Sequence, residues 1–189
     1  SVSTFISRAQ LTVKAGATLI VEPNAQLTMG SGSKIVVENG ATVKVLMNAN
    51  LVIPSGGTLQ ANAGAQFKFN PGSGLMSYGQ VNAYGAEGLP VSFVSVYGAG
   101  GTWSGMVLSG SGANNSTLQY AIVQNVSSVG GSAVTVVGAT GVSILHCTIS
   151  NNGTILTHGL SLSNAGSPEV AYNVINGNTG YGVNFMSTN

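Results

Sequence analysis

The sequence predicts an all-β chain wound into a parallel β-solenoid of about seven coils. Three observations predict it: an eight-residue repeat, a 26-residue repeat that follows it, and a composition rich in glycine and nearly free of charge. In each short repeat two apolar residues sit at i and i+2. That is a strand signature, because on a helix the two would lie roughly 200° apart. A strand this short cannot bury its apolar side alone, so the repeats must coil and pair with strands one turn away, at about 4.8 Å.

The octads run from Arg8 to Gly79 without a slip in register. Their first apolar positions are Leu11, Leu19, Leu27, Ile35, Val43, Leu51, Leu59, Phe67 and Leu75. The second positions are Val13, Val21, Met29, Val37, Val45, Ile53, Ala61, Phe69 and Ser77. Before each strand stands Gly or Asn (Gly16, Asn24, Gly32, Gly40, Asn48, Gly56, Gly64, Gly72) followed by a small residue. These residue types accept φ > 0 and let the chain turn at a crowded corner. Each octad is therefore one strand plus one corner.

Two octads would close a flat 16-residue coil, and three a triangular 24-residue coil. The second half decides between them. There the period is 26, aligning Leu118, Ile144 and Val170; Tyr120, His146 and Tyr172; Ala121, Cys147 and Asn173; and Val123, Ile149 and Ile175. A further strand set recurs at looser, unequal spacing, at Met106–Leu108, Val134–Val136, Leu160–Leu162 and Val183–Phe185. A core continuous with these coils favours the three-octad coil in the first half. The organisation read from the chain is an N-terminal strand or cap at 1–7, octad coils at 8–79, a transitional coil at 80–103 and 26-residue coils at 104–189, all in one continuous domain.

The coils "GVSILHCTISNNGT" and "SPEVAYNVINGNTGYGVNF" resemble the right-handed, single-stranded parallel β-helix proteins of pectate-lyase-like type. The passage with Pro90-Val91-Ser92-Phe93, Trp103-Ser104-Gly105-Met106 and Leu118-Gln119-Tyr120 is similar to the junction between leading coils and main helix in many secreted members. The resemblance implies the right-handed fold and a packed Trp103. It implies no single activity, since this architecture hosts lyases, hydrolases, adhesins, tail fibres and inert surface proteins.

Enzymes of that fold cleave polysaccharide with Asp clusters that hold calcium, or with carboxylate pairs. This chain has no Asp. Its acids are Glu22, Glu38, Glu87 and Glu169, and its bases are Arg8, Lys14, Lys34, Lys44 and Lys68. From Gly88 onward Glu169 is the one charged side chain. No catalytic residue, metal ligand set or cofactor site is therefore assigned. His146 occupies a place taken by Tyr120 and Tyr172 in neighbouring coils, which makes it a rung of a ring column. His158 has no carboxylate or nucleophile near it by register, and two histidines alone do not complete a metal site. Cys147, in a strand-like apolar context, reads as an inert buried thiol.

A formal net charge of +1 provides no electrostatic footprint for nucleic acid or an anionic membrane, and no apolar run is long enough for membrane insertion. Four sequons, at Asn114, Asn115, Asn125 and Asn152, are candidate N-glycosylation sites. Asn125, Asn151, Asn152, Asn173, Asn176 and Asn178 recur where coil corners are expected, where Asn can satisfy backbone groups and bond to Asn in the next coil. Tyr78, Tyr84 and Tyr97 are candidate sugar contacts. A regular ice-binding ladder is not present, since the outward columns run Thr18, Thr42, Gln66 and Ile20, Lys44, Lys68.

These readings point to a non-catalytic structural module of an extracellular or cell-surface assembly: a filament, appendage, fibre or adhesin stalk. The alternative is a carbohydrate-binding or carbohydrate-processing domain. The expected partners are further copies joined end to end, neighbouring surface proteins, or glycans. No cap is evident in the closing stretch "GYGVNFMSTN", and an open solenoid end templates pairing. Val2, Phe5 and Ile6 at one end, with Val183 and Phe185 at the other, are the candidate assembly residues.

Overall fold

The computed structural model describes residues 2–4, 8–98, 102–153 and 155–186, the first three as backbone only. Three parallel sheets form the faces of a prism. Sheet A holds β1 (Val2–Thr4), β4 (Gln26–Thr28), β7 (Asn50–Ile53), β10 (Gly74–Ser77), β13 (Met106–Ser109), β16 (Ser132–Val137), β19 (His158–Ser163) and β22 (Val183–Met186). Sheet B holds β2 (Gln10–Val13), β5 (Lys34–Val37), β8 (Thr58–Asn62), β11 (Gln80–Tyr84), β14 (Thr117–Gln119), β17 (Ser143–Leu145) and β20 (Glu169–Ala171). Sheet C holds β3 (Thr18–Val21), β6 (Thr42–Val45), β9 (Gln66–Phe69), β12 (Val91–Ser95), β15 (Ala121–Gln124), β18 (Thr148–Ser150) and β21 (Val174–Asn176). The chain visits A, B and C in turn, and each strand pairs with the third strand before and after it.

Register partners in the octad region lie three octads apart: Leu11 pairs with Ile35, Leu19 with Val43 and Leu27 with Leu51. The triangular coil is therefore the one formed, and the flat two-octad alternative is excluded. In the second half Leu118, Ile144 and Val170 align in sheet B, and Val123, Ile149 and Ile175 in sheet C. The looser set also holds, with Met106, Val134, Leu160 and Val183 in one column of sheet A. Between the halves the steps widen: Leu75 pairs with Met106 and Ala83 with Leu118, each well beyond three octads.

Inward positions form one continuous core. Leu51 is buried while Val52, facing outward, is only half-buried. Aromatic rings stack along the axis, Phe67 on Phe93 at 4.7 Å and Phe69 on Trp103 at 4.2 Å. Trp103 is wholly buried and its Nε1–H donates to the Gln124 carbonyl at 2.9 Å, so the packed role implied by the resemblance holds. All eight octad-corner Gly and Asn positions have φ between 56° and 79°. At Gly64 and Gly72 a Cβ would also run into the side-chain amide oxygens of Asn39 and Asn48 in the adjacent coil.

Candidate functional site

The ring column is built where the chain leaves sheet B for sheet C. Tyr120, His146 and Tyr172 all take left-handed backbone, with φ of 45°, 53° and 59°, which aims successive side chains the same way. Their rings stack nearly parallel, Tyr120 on His146 at 4.7 Å and His146 on Tyr172 at 4.9 Å. His146 is thus a rung with both ring faces covered, as the register implies. His158 stacks on Tyr181 at 5.1 Å, and its Nδ1 accepts the Tyr181 N–H at 2.9 Å. Among the described residues, no group of three His, Cys, Asp or Glu side chains is placed to hold a metal ion.

Beside the ring column, Cys147 is buried and its thiol is pushed up to about 11, mainly by desolvation. The Ala121 N–H reaches its sulfur at 3.4 Å. In the next coil Asn173 does the same job better: its Oδ1 accepts the Cys147 N–H at 2.7 Å and its Nδ2 donates to the Ile144 carbonyl at 2.7 Å. A second inward column lies at the corner between sheets C and A. There Asn152 accepts the Val126 N–H at 2.9 Å and donates to the Asn178 Oδ1 at 2.8 Å, while Asn178 donates to the Ile149 carbonyl at 3.1 Å. Asn176, expected at a corner, instead lies within β21.

The burial of Asn152 corrects one candidate. It is 0% exposed with both amide atoms engaged, so no glycan fits on it in this fold. Asn114 is half-buried and accepts the Thr140 N–H at 2.8 Å; Asn115 is exposed; Asn125 is half-buried at a left-handed corner. The tyrosines also part company. Tyr78 follows β10 at the A–B corner, Tyr84 ends β11 at the B–C corner, and Tyr97 follows β12 at the C–A corner. All three are exposed, but one coil places them on three different edges of the prism, so they do not line a common sugar site.

A feature missed in the sequence is a ridge along the C–A corner. Tyr97, Val129, Ile155, Leu156 and Tyr181, from loops of four successive coils, are all exposed there. The signal that could have revealed it is apolar residues falling outside the strand positions of the repeat.

The two ends differ. Toward the N-terminus Val13 and Val21 are only 5% and 4% exposed, although β2 and β3 are the outermost described strands of their sheets. In the last coil the corresponding inward position Val170 is 36% exposed, Phe185 is 75% exposed, and the outer face of the ring column ends on Tyr172 at 80%. Leu162, Ala165, Pro168, Phe185 and Met186 line a hollow of about 220 Å³ there. Of the assembly candidates, Val183 and Phe185 therefore lie on this open end. Val2 lies in β1, which pairs with β4 of its own chain, and Phe5 and Ile6 lie outside the described residues. No protein-family model, curated protein or solved structure matches the chain.

Proposed function

We propose that this chain is a non-catalytic structural module of an extracellular or surface assembly, joining to further copies end to end. The observation that carries the reading is the C-terminal coil. Among the described residues, its strands leave one edge of every sheet unpaired, and its inward column leaves Phe185 in solvent. Unpaired parallel edges template another strand, and burying an exposed Phe is worth on the order of 2 kcal/mol. The near absence of charge removes repulsion between approaching ends. The likeness of the coils to secreted β-helix proteins of pectate-lyase-like type agrees with a location outside the cell.

Sedimentation velocity over a concentration series, with electron microscopy of the same samples, tests this. The expected result is growth into rods as concentration rises. Phe185→Lys should hold the protein as a monomer with unchanged circular dichroism. A chain that stays monomeric at high concentration overturns the proposal.

The second reading, a carbohydrate-binding or carbohydrate-processing domain, draws on a hollow of about 200 Å³ lined by Glu87, Pro90, Tyr120, Ile122, His146 and Thr148. A carboxylate, an imidazole and a phenol line this one hollow together. Glycan-array binding lost on Glu87→Gln would favour this reading over assembly.

A further inference from the structure

We infer that the hollow at the B–C corner is a binding site for a small organic ammonium ion, held between the Glu87 carboxylate and the Tyr120 ring. The inference takes the hollow of the carbohydrate reading and adds what its ligand carries, a positive charge, whether the carbon frame is a sugar or not.

The hollow exists because the ring column lacks a rung. Tyr120, His146 and Tyr172 hold one corner position in three successive coils, and the register of sheet B puts Gly85 at that position in the coil before. Tyr84 pairs with Gln119, and the Gly85 N–H donates to the Gln119 carbonyl at 2.8 Å. A Cβ at Gly85 would run into the Tyr120 carbonyl, so no side chain can stand there. His146 covers one face of the Tyr120 ring, and among the described residues no ring covers the other. In place of a rung the chain makes a tight turn. Ala86 and Leu89 exchange N–H···O bonds of 3.1 and 3.0 Å, and Gly88 supplies the left-handed φ of 77° that the turn needs. That turn carries Glu87 into the lining of the hollow that Tyr120 shares.

Glu87 has no counter-charge of its own. Among the described residues the one ion pair is Lys14 with Glu38, and no hydrogen bond reaches Glu87. Beyond Lys68 the chain holds two carboxylate side chains, Glu87 and Glu169, and no Lys or Arg. Lys68 itself stands beside Val94 on sheet C and makes no ion pair with Glu87. The rest of the lining selects the kind of cation. Pro90 and Ile122 form an apolar wall that offers nothing to a hydrated inorganic ion, and one carboxylate with one imidazole falls short of the roughly six to eight oxygens that calcium takes. An ammonium on a carbon frame meets every surface present: its charge goes to Glu87 and the Tyr120 ring, its frame to Pro90 and Ile122, and a polar substituent to the Thr148 hydroxyl. A volume of about 200 Å³, roughly that of seven waters, admits one residue-sized molecule.

Amide NMR titration of the isotope-labelled full chain, at low salt near neutral pH, reads the site directly. The probes are glucosamine and butylamine, with N-acetylglucosamine and butanol as their uncharged counterparts. The amines should shift the signals of Glu87, Gly88 and Ile122 with dissociation constants on the order of millimolar. The uncharged pair should bind about tenfold more weakly or not at all. Glu87→Gln, at an exposed turn position, should lose the same factor in amine binding. Glu169→Gln removes the other carboxylate of this half, which lies outside the hollow, and should change nothing. Shifts from glucosamine alone would give the ligand a sugar frame, and from butylamine alone an apolar one; either supports the ammonium site. Equal binding of glucosamine and N-acetylglucosamine would overturn the inference while leaving the carbohydrate reading intact. A loss on Glu169→Gln as large as that on Glu87→Gln, or no shift from either amine, would overturn it as well.

Discussion

The two halves of the rod close the same triangular coil by different means. In the octad half the corner is a property of the backbone: Gly or Asn takes the left-handed region, and the side chain matters little beyond allowing it. In the 26-residue half the corner has more chain to arrange, and side chains do the arranging. Asn152, Asn173 and Asn178 reach inward to hydrogen-bond backbone groups of the preceding coil, while Tyr120, His146 and Tyr172 stack outside. A regular period lets conformation alone set the corner. An irregular one needs specific bonds, because a bend with unmatched loop length leaves buried N–H and C=O groups to be satisfied.

The largest expected effect tests what the halves share. Leu51→Asp places an unpaired carboxylate in the core and should cost more than ~4 kcal/mol or prevent folding. Val52→Asp, on the outer face one residue on, should cost about 1 kcal/mol. Thermal unfolding of the two variants measures the difference, and equal effects would break the register on which every column here depends.

The next pair sharpens the contrast itself. Asn48 is exposed, at φ 56°, and its amide makes one long bond to Asn24 at 3.3 Å, so Asn48→Gly should change stability by less than about 0.5 kcal/mol. Asn152→Gly removes the partners of the Val126 N–H, the Val123 carbonyl and Asn178, and should cost about 3 kcal/mol or more. Urea unfolding of both variants reads this directly. Similar losses at the two sites would mean that the corners work alike.

These elements also mark how far the sequence could be read. The strand columns were legible throughout because a period states which residues are neighbours, as Met106, Val134, Leu160 and Val183 illustrate despite uneven spacing. The inward role of Asn152 was not. Asn151 and Asn152 are adjacent and chemically identical, and only the phase of the corner decides which one takes φ 56° and which one is buried. The scattering of Tyr78, Tyr84 and Tyr97 was hidden for a related reason. Nearness along the chain means little in a coil that turns a corner every octad. The open C-terminal coil was visible in part, since "GYGVNFMSTN" continues the strand pattern, but the exposure of Phe185 needed the structure.

The smallest expected effect concerns the charged half. Lys14 donates to Glu38 at 3.0 Å and the Ala15 N–H adds a second bond, which together hold the carboxyl below its ordinary value of 4.5. A depressed folded value means that the stabilisation is fully present above the ordinary value and is lost as pH falls through the lowered one. Both groups face solvent, so the effect is minor. The melting-temperature difference between the native chain and Glu38→Gln should be small and constant near neutrality, and should shrink as pH falls below the ordinary carboxyl value.

One feature of the topology bears on how the rod comes to exist. Every pairing between the described strands is parallel, and each joins segments a whole coil apart, the tightest being Thr58 with Gln80. Those strands contain no hairpin to form first. A chain of this kind must close a whole coil, losing the entropy of that loop, before any ladder hydrogen bond rewards it, so initiation is slow and each later coil is laid on a finished edge. Corners preset by Gly and Asn shorten the search in the octad half, which also leaves the ribosome before the other. Growth from that half runs toward the C-terminal end, so the coil that holds Phe185 in solvent is laid down after the coils beneath it.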